Sequence, residues 1–283
     1  MGIVQRDGLN FYDGLNSDFI AIESNRLECY LKYIKENNTS AISLNNLYYF
    51  GENIEFLEDC PFVEKLSITS SSILDYSALG KLKQLKVLTL EEPKGKVDLS
   101  NSNSLEELST ELNKNIIGID KLQNLKVLKL WKYNPKSKSI NDLSVLSSLE
   151  ELQITQSNIT SLNGCCNLIN LKILELSYLN KLEHLDGMEE NSATLKSLRF
   201  DSCKKIRNHE YVTCLSGLEL LAFDECGEIP SIAFIRKLPQ LKSFIFVNTN
   251  ICDGDLSPCV GLEYVGFLNK KHYSHKSEDF KNK

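Results

Sequence analysis

No run in the 283 residues approaches the roughly 20 consecutive apolar positions of a bilayer-crossing helix. The opening segment, MGIVQRDGLNFYDGLNSDF, has no apolar core of signal-peptide length, and Arg6 stands where a myristoylation signal wants Ser or Thr. The expectation is a soluble, cytoplasmic chain. Basic excess is also missing. A net charge of -6 opposes broad attraction to phosphate backbones or anionic lipid, so neither nucleic acid nor membrane is expected as a partner. Nine cysteines occur, but none in the CxxC spacing of a zinc or redox site, which fits reduced thiols in a cytosol. There is no glycine-rich phosphate loop, serine nucleophile elbow or paired-histidine metalloprotease motif. No enzymatic activity, cofactor or metal is therefore expected. No Pro- or Gly-rich linker divides the chain, so a single domain is the simplest organisation.

Apolar residues are plentiful, at 42% of the chain against 25% charged, enough for a continuous core. Their arrangement is periodic. An LxxLxL frame begins clearly at Val63 (VEKLSI) and recurs at Leu85, Leu105, Leu125, Leu149, Leu171, Leu195, Leu218, Leu241 and Leu262, with a weaker first copy at Thr39 (TSAISL). The eleven starts lie about 20 to 24 residues apart. In each copy the last two apolar residues are two apart, so both point to one side of an extended strand while their neighbours face the other. One copy cannot bury its apolar row alone. Stacked copies form a parallel sheet with strands about 4.8 Å apart, and eleven would span on the order of 50 Å. Segments such as SALGKLKQ, GIDKLQN, DLSVLSS and AFIRKLPQ have apolar residues three or four apart and predict short helices or 3₁₀ turns on the opposite side.

From Thr39 to Leu268 the chain resembles the leucine-rich-repeat family, in the short-repeat form of internalin-like bacterial proteins and eukaryotic phosphatase regulators. The resemblance implies an α/β solenoid, curved, with a parallel β-sheet on its concave face and short helices or 3₁₀ turns on its convex face. The family usually places Asn three residues after the last strand leucine. Here that position holds Ser71, Asn113, Ser157, Cys203, Cys226 and Thr249, small groups able to serve the same inward role, while Pro93, Tyr133 and Leu179 depart from it.

The expected organisation is an N-terminal cap over residues 1–38, the solenoid over 39–268 and a polar tail over 269–283. Within the cap, Phe11 to Ile22 with its Asp13-Gly14 signal suggests a hairpin, and Leu27, Tyr30, Leu31 and Ile34 fall at helical spacing. The tail is expected to cap loosely or fray.

Strand positions flanking the core leucines should face outward from the sheet. Those taken as partner-binding are Glu107, Glu111, Lys129, Trp131, Glu151, Gln153, Glu175, Arg199, Asp201 and Asp224. Trp131, the single tryptophan, follows a strand leucine where core burial is not required, and tryptophan is enriched among interface hot spots. Packing on its strand neighbours or the Tyr133 loop is the competing role. The acidic run could steer a basic partner, although most surface charge is simply solvated. Cys165-Cys166, with Cys203 and Cys226 at matching repeat positions, is better explained by small buried side chains than by redox or metal chemistry. His272 and His275 lack the further ligands of a zinc site.

The function expected is a non-enzymatic module holding a protein partner, a toxin or an enzyme, on its concave face. An inhibitor or immunity protein neutralising a toxin is the leading form. The alternatives are a regulatory or targeting subunit of an enzyme complex, and an internalin-like adhesin or secreted effector.

Overall fold

A computed structural model describes residues 2–13 and 19–280. The chain forms two compact units, Met1–Leu128 and Lys129–Lys283, and the strand Val127–Trp131 contains the division.

The first unit opens with strands Gly2–Arg6 and Leu9–Asp13, paired antiparallel across Asp7-Gly8. Both turn residues have positive φ, 52° and 72°, the geometry that a two-residue hairpin needs and that an Asp-Gly pair tolerates. Leu9–Asp13 pairs antiparallel in turn with Phe19–Ala21, Phe11 facing Ile20. Gly14, in the sequence-predicted turn, lies outside the described residues. A helix over Leu27–Asn37 follows, burying Tyr30 and Ile34 and closing on Asn38 in the left-handed region. Asparagine accepts that conformation at lower cost than most residues.

The parallel sheet of this unit then adds Ala41–Leu44, Lys65–Ile68, Val87–Leu90 and Glu107–Glu111. The register is strict: Leu66 faces Leu88 and Leu88 faces Leu108. All three are buried, as alternation along a half-buried strand requires.

In the second unit Glu151–Thr155, Ile173–Ser177, Ser197–Asp201, Leu220–Asp224, Ser243–Ile245 and Tyr264–Gly266 pair parallel in the same register. Leu152, Leu174, Leu198, Leu221 and Phe244 form one buried column. At the last inward strand position Ile154 and Leu176 give way to Phe200, Phe223, Phe246 and Phe267. Phe200 stacks on Phe223 and Phe246 on Phe267, at 5.1 and 5.0 Å between centroids. Beyond the last strand, Tyr273 is buried and its hydroxyl donates to Thr249 O while accepting from Ile251 N–H. Phe280 meets Phe267 edge-on.

Chain reversal after each strand uses a device the hydrophobic pattern does not reveal. Glu92, Lys132, Gln156, Tyr178, Ser202, Glu225 and Asn248 occupy the left-handed region at one recurring position, with φ from 42° to 59°. The N–H of Lys132, Gln156, Tyr178 and Ser202 is donated to the carbonyl that ends the following strand, at 2.8–2.9 Å, and that of Glu225 to Val247 O, just past its neighbouring strand, at 2.9 Å. The backbone bond is thus preserved although the strand direction is abandoned.

One residue further in from this turn, small polar side chains tie neighbouring copies together. Cys203 Sγ donates to Leu176 O at 3.4 Å and Cys226 Sγ to Phe200 O at 3.5 Å, while Ser157 and Thr249 hydroxyls donate to Tyr133 O and Phe223 O. In the first unit the expectation for Ser71 is corrected. Ser71 is exposed, and the buried Ser70 hydroxyl donates to Tyr49 O at 2.7 Å instead. Pro93, Tyr133 and Leu179, the departures from the polar pattern, are all buried.

The other side of most copies is a 3₁₀ turn, from Glu55–Asp59 and Ser77–Lys81 to Ala233–Lys237 and Ser257–Cys259, while the copy that begins with Val87–Leu90 has the short strand Val97–Asp98 and no such turn. Three to six residues suffice for one or two inward apolar side chains, and longer 3₁₀ runs are disfavoured by their hydrogen-bond geometry.

Candidate functional site on the outward sheet face

Each strand has an inner and an outer set of residues, and only the outer set is available to a ligand. In Glu151–Thr155 the inner Leu152 and Ile154 are buried, while Glu151, Gln153 and Thr155 are partly exposed. Parallel register repeats this parity down the second unit, so that Gln153, Glu175, Arg199 and Ala222 form one outward row. Thr155, Ser177, Asp201 and Asp224 form the next.

The structure gathers the sequence-derived residues into groups. Glu107, exposed, and Glu111, half-buried, belong to the first unit. In the second, Lys129 Nζ lies 3.4 Å from Glu151 Oε1, which also accepts from Gln153 Nε2 at 2.9 Å. Trp131 is 44% exposed at the end of its strand. That degree of exposure leaves the indole free for a partner and also permits packing on its neighbours.

Further along, Glu175, Arg199, Asp201 and Asp224 line a cleft of about 610 Å³ together with Ser177, Phe200, Glu225, Val247 and Asn248. Arg199 Nε stands 3.8 Å from Glu175 Oε1. Asp201 accepts from the Ser202 hydroxyl at 2.9 Å, and Asp224 accepts the Val247 N–H at 2.9 Å. Burial raises the Asp224 carboxyl above its ordinary range, and the Val247 bond opposes this while the neighbouring Asp201 charge adds to it. The cleft therefore favours positive charge. Glu225 and Asn248 escaped the sequence reading because they follow the strand in left-handed conformation, outside the alternation rule. Their fixed place two residues after the last inward strand residue is the signal that finds them.

The remaining candidates resolve differently. Cys165 is buried, and burial pushes its thiol up to about 12, away from the nucleophilic thiolate. His272 Nε2 lies 3.0 Å from Ile251 O, and His275 Nδ1 lies 2.8 Å from the Ser274 hydroxyl. Among the described residues no group of three or more His, Cys, Asp or Glu is placed to hold a metal ion. Nor is any helix among them long and apolar enough to cross a membrane.

No protein-family model matches the sequence, and no curated protein matches it. Solved structures do. An internalin (inlF) from Listeria monocytogenes aligns over 82% of this chain and 68% of its own, with a TM-score of 0.63 and 20% identity. The chain folds as a leucine-rich-repeat protein. A leucine-rich-repeat protein of Leptospira interrogans aligns over 84% of this repeat chain and 68% of its own, with a TM-score of 0.50 and 16% identity. At these identities the likeness establishes the solenoid class of the repeat protein and leaves its partner to be argued from the face itself.

Proposed function

We propose that this repeat protein binds a protein partner on the outward face of its sheet and acts by occupying that partner's surface rather than by turnover. One observation carries the reading. The inner strand positions of the second unit repeat as Leu, Ile, Val or Phe, whereas the outer ones, the buried Ala222 apart, vary from Lys129 and Gln153 to Arg199, Asp201 and Ile245. The core does not dictate these outer residues, and protein interfaces draw on this mixture of aromatic, apolar and charged groups.

Inhibition of the protein held, with an immunity protein neutralising its toxin as the specific case, is the proposed form of this action, because occupation alone accomplishes it. Cytosolic action is supported by nine free thiols, the state expected in a reducing compartment. The test is affinity purification of the tagged chain from its native host at low and moderate salt, alongside the Trp131→Ala variant. The wild type should retain one protein stoichiometrically. The variant, folded by circular dichroism, should bind it at least about fivefold more weakly, in keeping with tryptophan hot spots. Retention unchanged by any outward-face substitution would remove the reading.

A further inference from the structure

We propose that the C-terminal end of this face is a docking groove for a protein segment that carries a lysine or arginine about five residues from an aromatic or large aliphatic side chain. The inference rests on the protein-binding reading and deepens it to a partner chemistry.

Two cavities adjoin here and share Val247. The first, about 610 Å³, has carboxylates from Glu175, Asp201, Asp224 and Glu225 against the single guanidinium of Arg199. That cation pairs with Glu175. The other three carboxylates accept hydrogen bonds from neutral groups: Ser202 Oγ for Asp201 and Glu225, Val247 N–H for Asp224, and Asn248 Nδ2 for Glu225. None of the three has an ion pair within 4.0 Å among the described residues, and Arg199 acts on Asp224 only at longer range, so the cleft keeps an excess of negative charge. A primary ammonium or guanidinium entering the cleft would match it.

The second cavity, about 520 Å³, is walled by Tyr264, Val265, Phe267 and Phe280 with Val247. Tyr264 is 56% exposed on the last strand, beside the half-exposed Ile245. The face thus changes from acidic to apolar over two strand steps, from Asp224 to Tyr264. Tyr264 is level with Leu220, four residues before Asp224, so the two strand steps across the sheet combine with four along it to roughly 16 Å, which an extended chain covers in about five residues. This sets the spacing of the segment. A second copy of the chain is the weaker occupant, since it carries a net charge of -6 and would bring like charge to the cleft.

The experiment selects ligands without assuming a native partner. Phage-displayed random dodecapeptides are panned on the immobilised full chain, and the strongest synthetic peptide is titrated against wild type, Asp224→Asn, Glu225→Gln, Tyr264→Ser and Trp131→Ala. Selected peptides should pair Lys or Arg with Phe, Tyr, Trp or Leu at the stated spacing. Affinity should fall about tenfold in Asp224→Asn and in Tyr264→Ser, about threefold in the exposed Glu225→Gln, and stay unchanged in Trp131→Ala. Peptides lacking the pair, absence of enrichment, self-association through this face, or affinity indifferent to all three groove variants would each overturn the proposal. Peptides that depend on Trp131 alone would overturn it while leaving the wider protein-binding reading in place.

Discussion

Both ring nitrogens of His209 are buried without a hydrogen-bond partner among the described residues, and the ring meets Phe223 edge-on at 5.2 Å. Burial lowers its basicity from the ordinary 6.5 to about 4. A neutral folded state and a protonated unfolded state then compete in that interval. The unfolded chain binds the extra proton, so the stabilising contribution is complete above about pH 6.5 and is lost as pH falls toward 4. Urea titrations at pH 7 and pH 4 should give the wild type a loss about 3 kcal/mol greater than that of His209→Leu. Equal losses would mean the imidazole is hydrated in solution. A second residue-level prediction concerns the turn column. Gln156 holds φ at 59°, where a side chain costs about 1 kcal/mol relative to glycine, so Gln156→Gly should raise stability by roughly that amount in equilibrium unfolding.

The strands were the most legible elements because a two-residue alternation states both their existence and their buried side. The parity assigns opposite fates to neighbours. Leu198, fully buried, should cost about 2–5 kcal/mol as Leu198→Ala, whereas Ser197→Ala beside it should change stability by no more than about 0.5 kcal/mol. Comparable losses would contradict the two-sided strand. Other elements were less legible. Gly2–Arg6 was missed, since its exposed and half-buried residues give no alternating signal, and its Asp7-Gly8 turn was passed over for Asp13-Gly14. Ser70 displaced Ser71 because a loop, unlike a strand, does not hold residue count to direction. A charge ladder also went unread. Glu64 pairs with Lys86 and Glu106 with Lys126 in the first unit, and Glu150 pairs with Lys172 and Glu219 with Lys242 in the second, each at 2.6–2.7 Å between equivalent positions of adjacent copies. These exposed pairs are screened by solvent and add little stability, and their regular recurrence favours the correct stacking order instead.

For the molecule as a whole, repeat period and apolar spacing disclosed the solenoid class, because each copy exists only by burying its row against the next. The candidate site was half legible. Glu175, Arg199, Asp201 and Asp224 followed from strand parity, and they do meet around one cleft. The cleft itself depends on Glu225 and Asn248, whose left-handed turns carry them beyond the alternation, and the apolar cavity beside it depends on the tail that brings Phe280 to Phe267. No linear spacing encodes that approach. Trp131 stands apart from both cavities, so its part in binding is an independent proposal with its own variant.

Cross-linking mass spectrometry on the complex recovered from the native host bears most directly on whether the sheet face holds a protein. Lysines serve as reporters on both sides: Lys129 lies on the outward strand row, while Lys81, Lys121 and Lys237 lie on 3₁₀ turns. Binding at the face predicts partner cross-links at Lys129, and protection of Asp201, Asp224 and Glu225 from carboxylate labelling. Cross-links confined to the three turn lysines, with those carboxylates labelled as in the free chain, would contradict it.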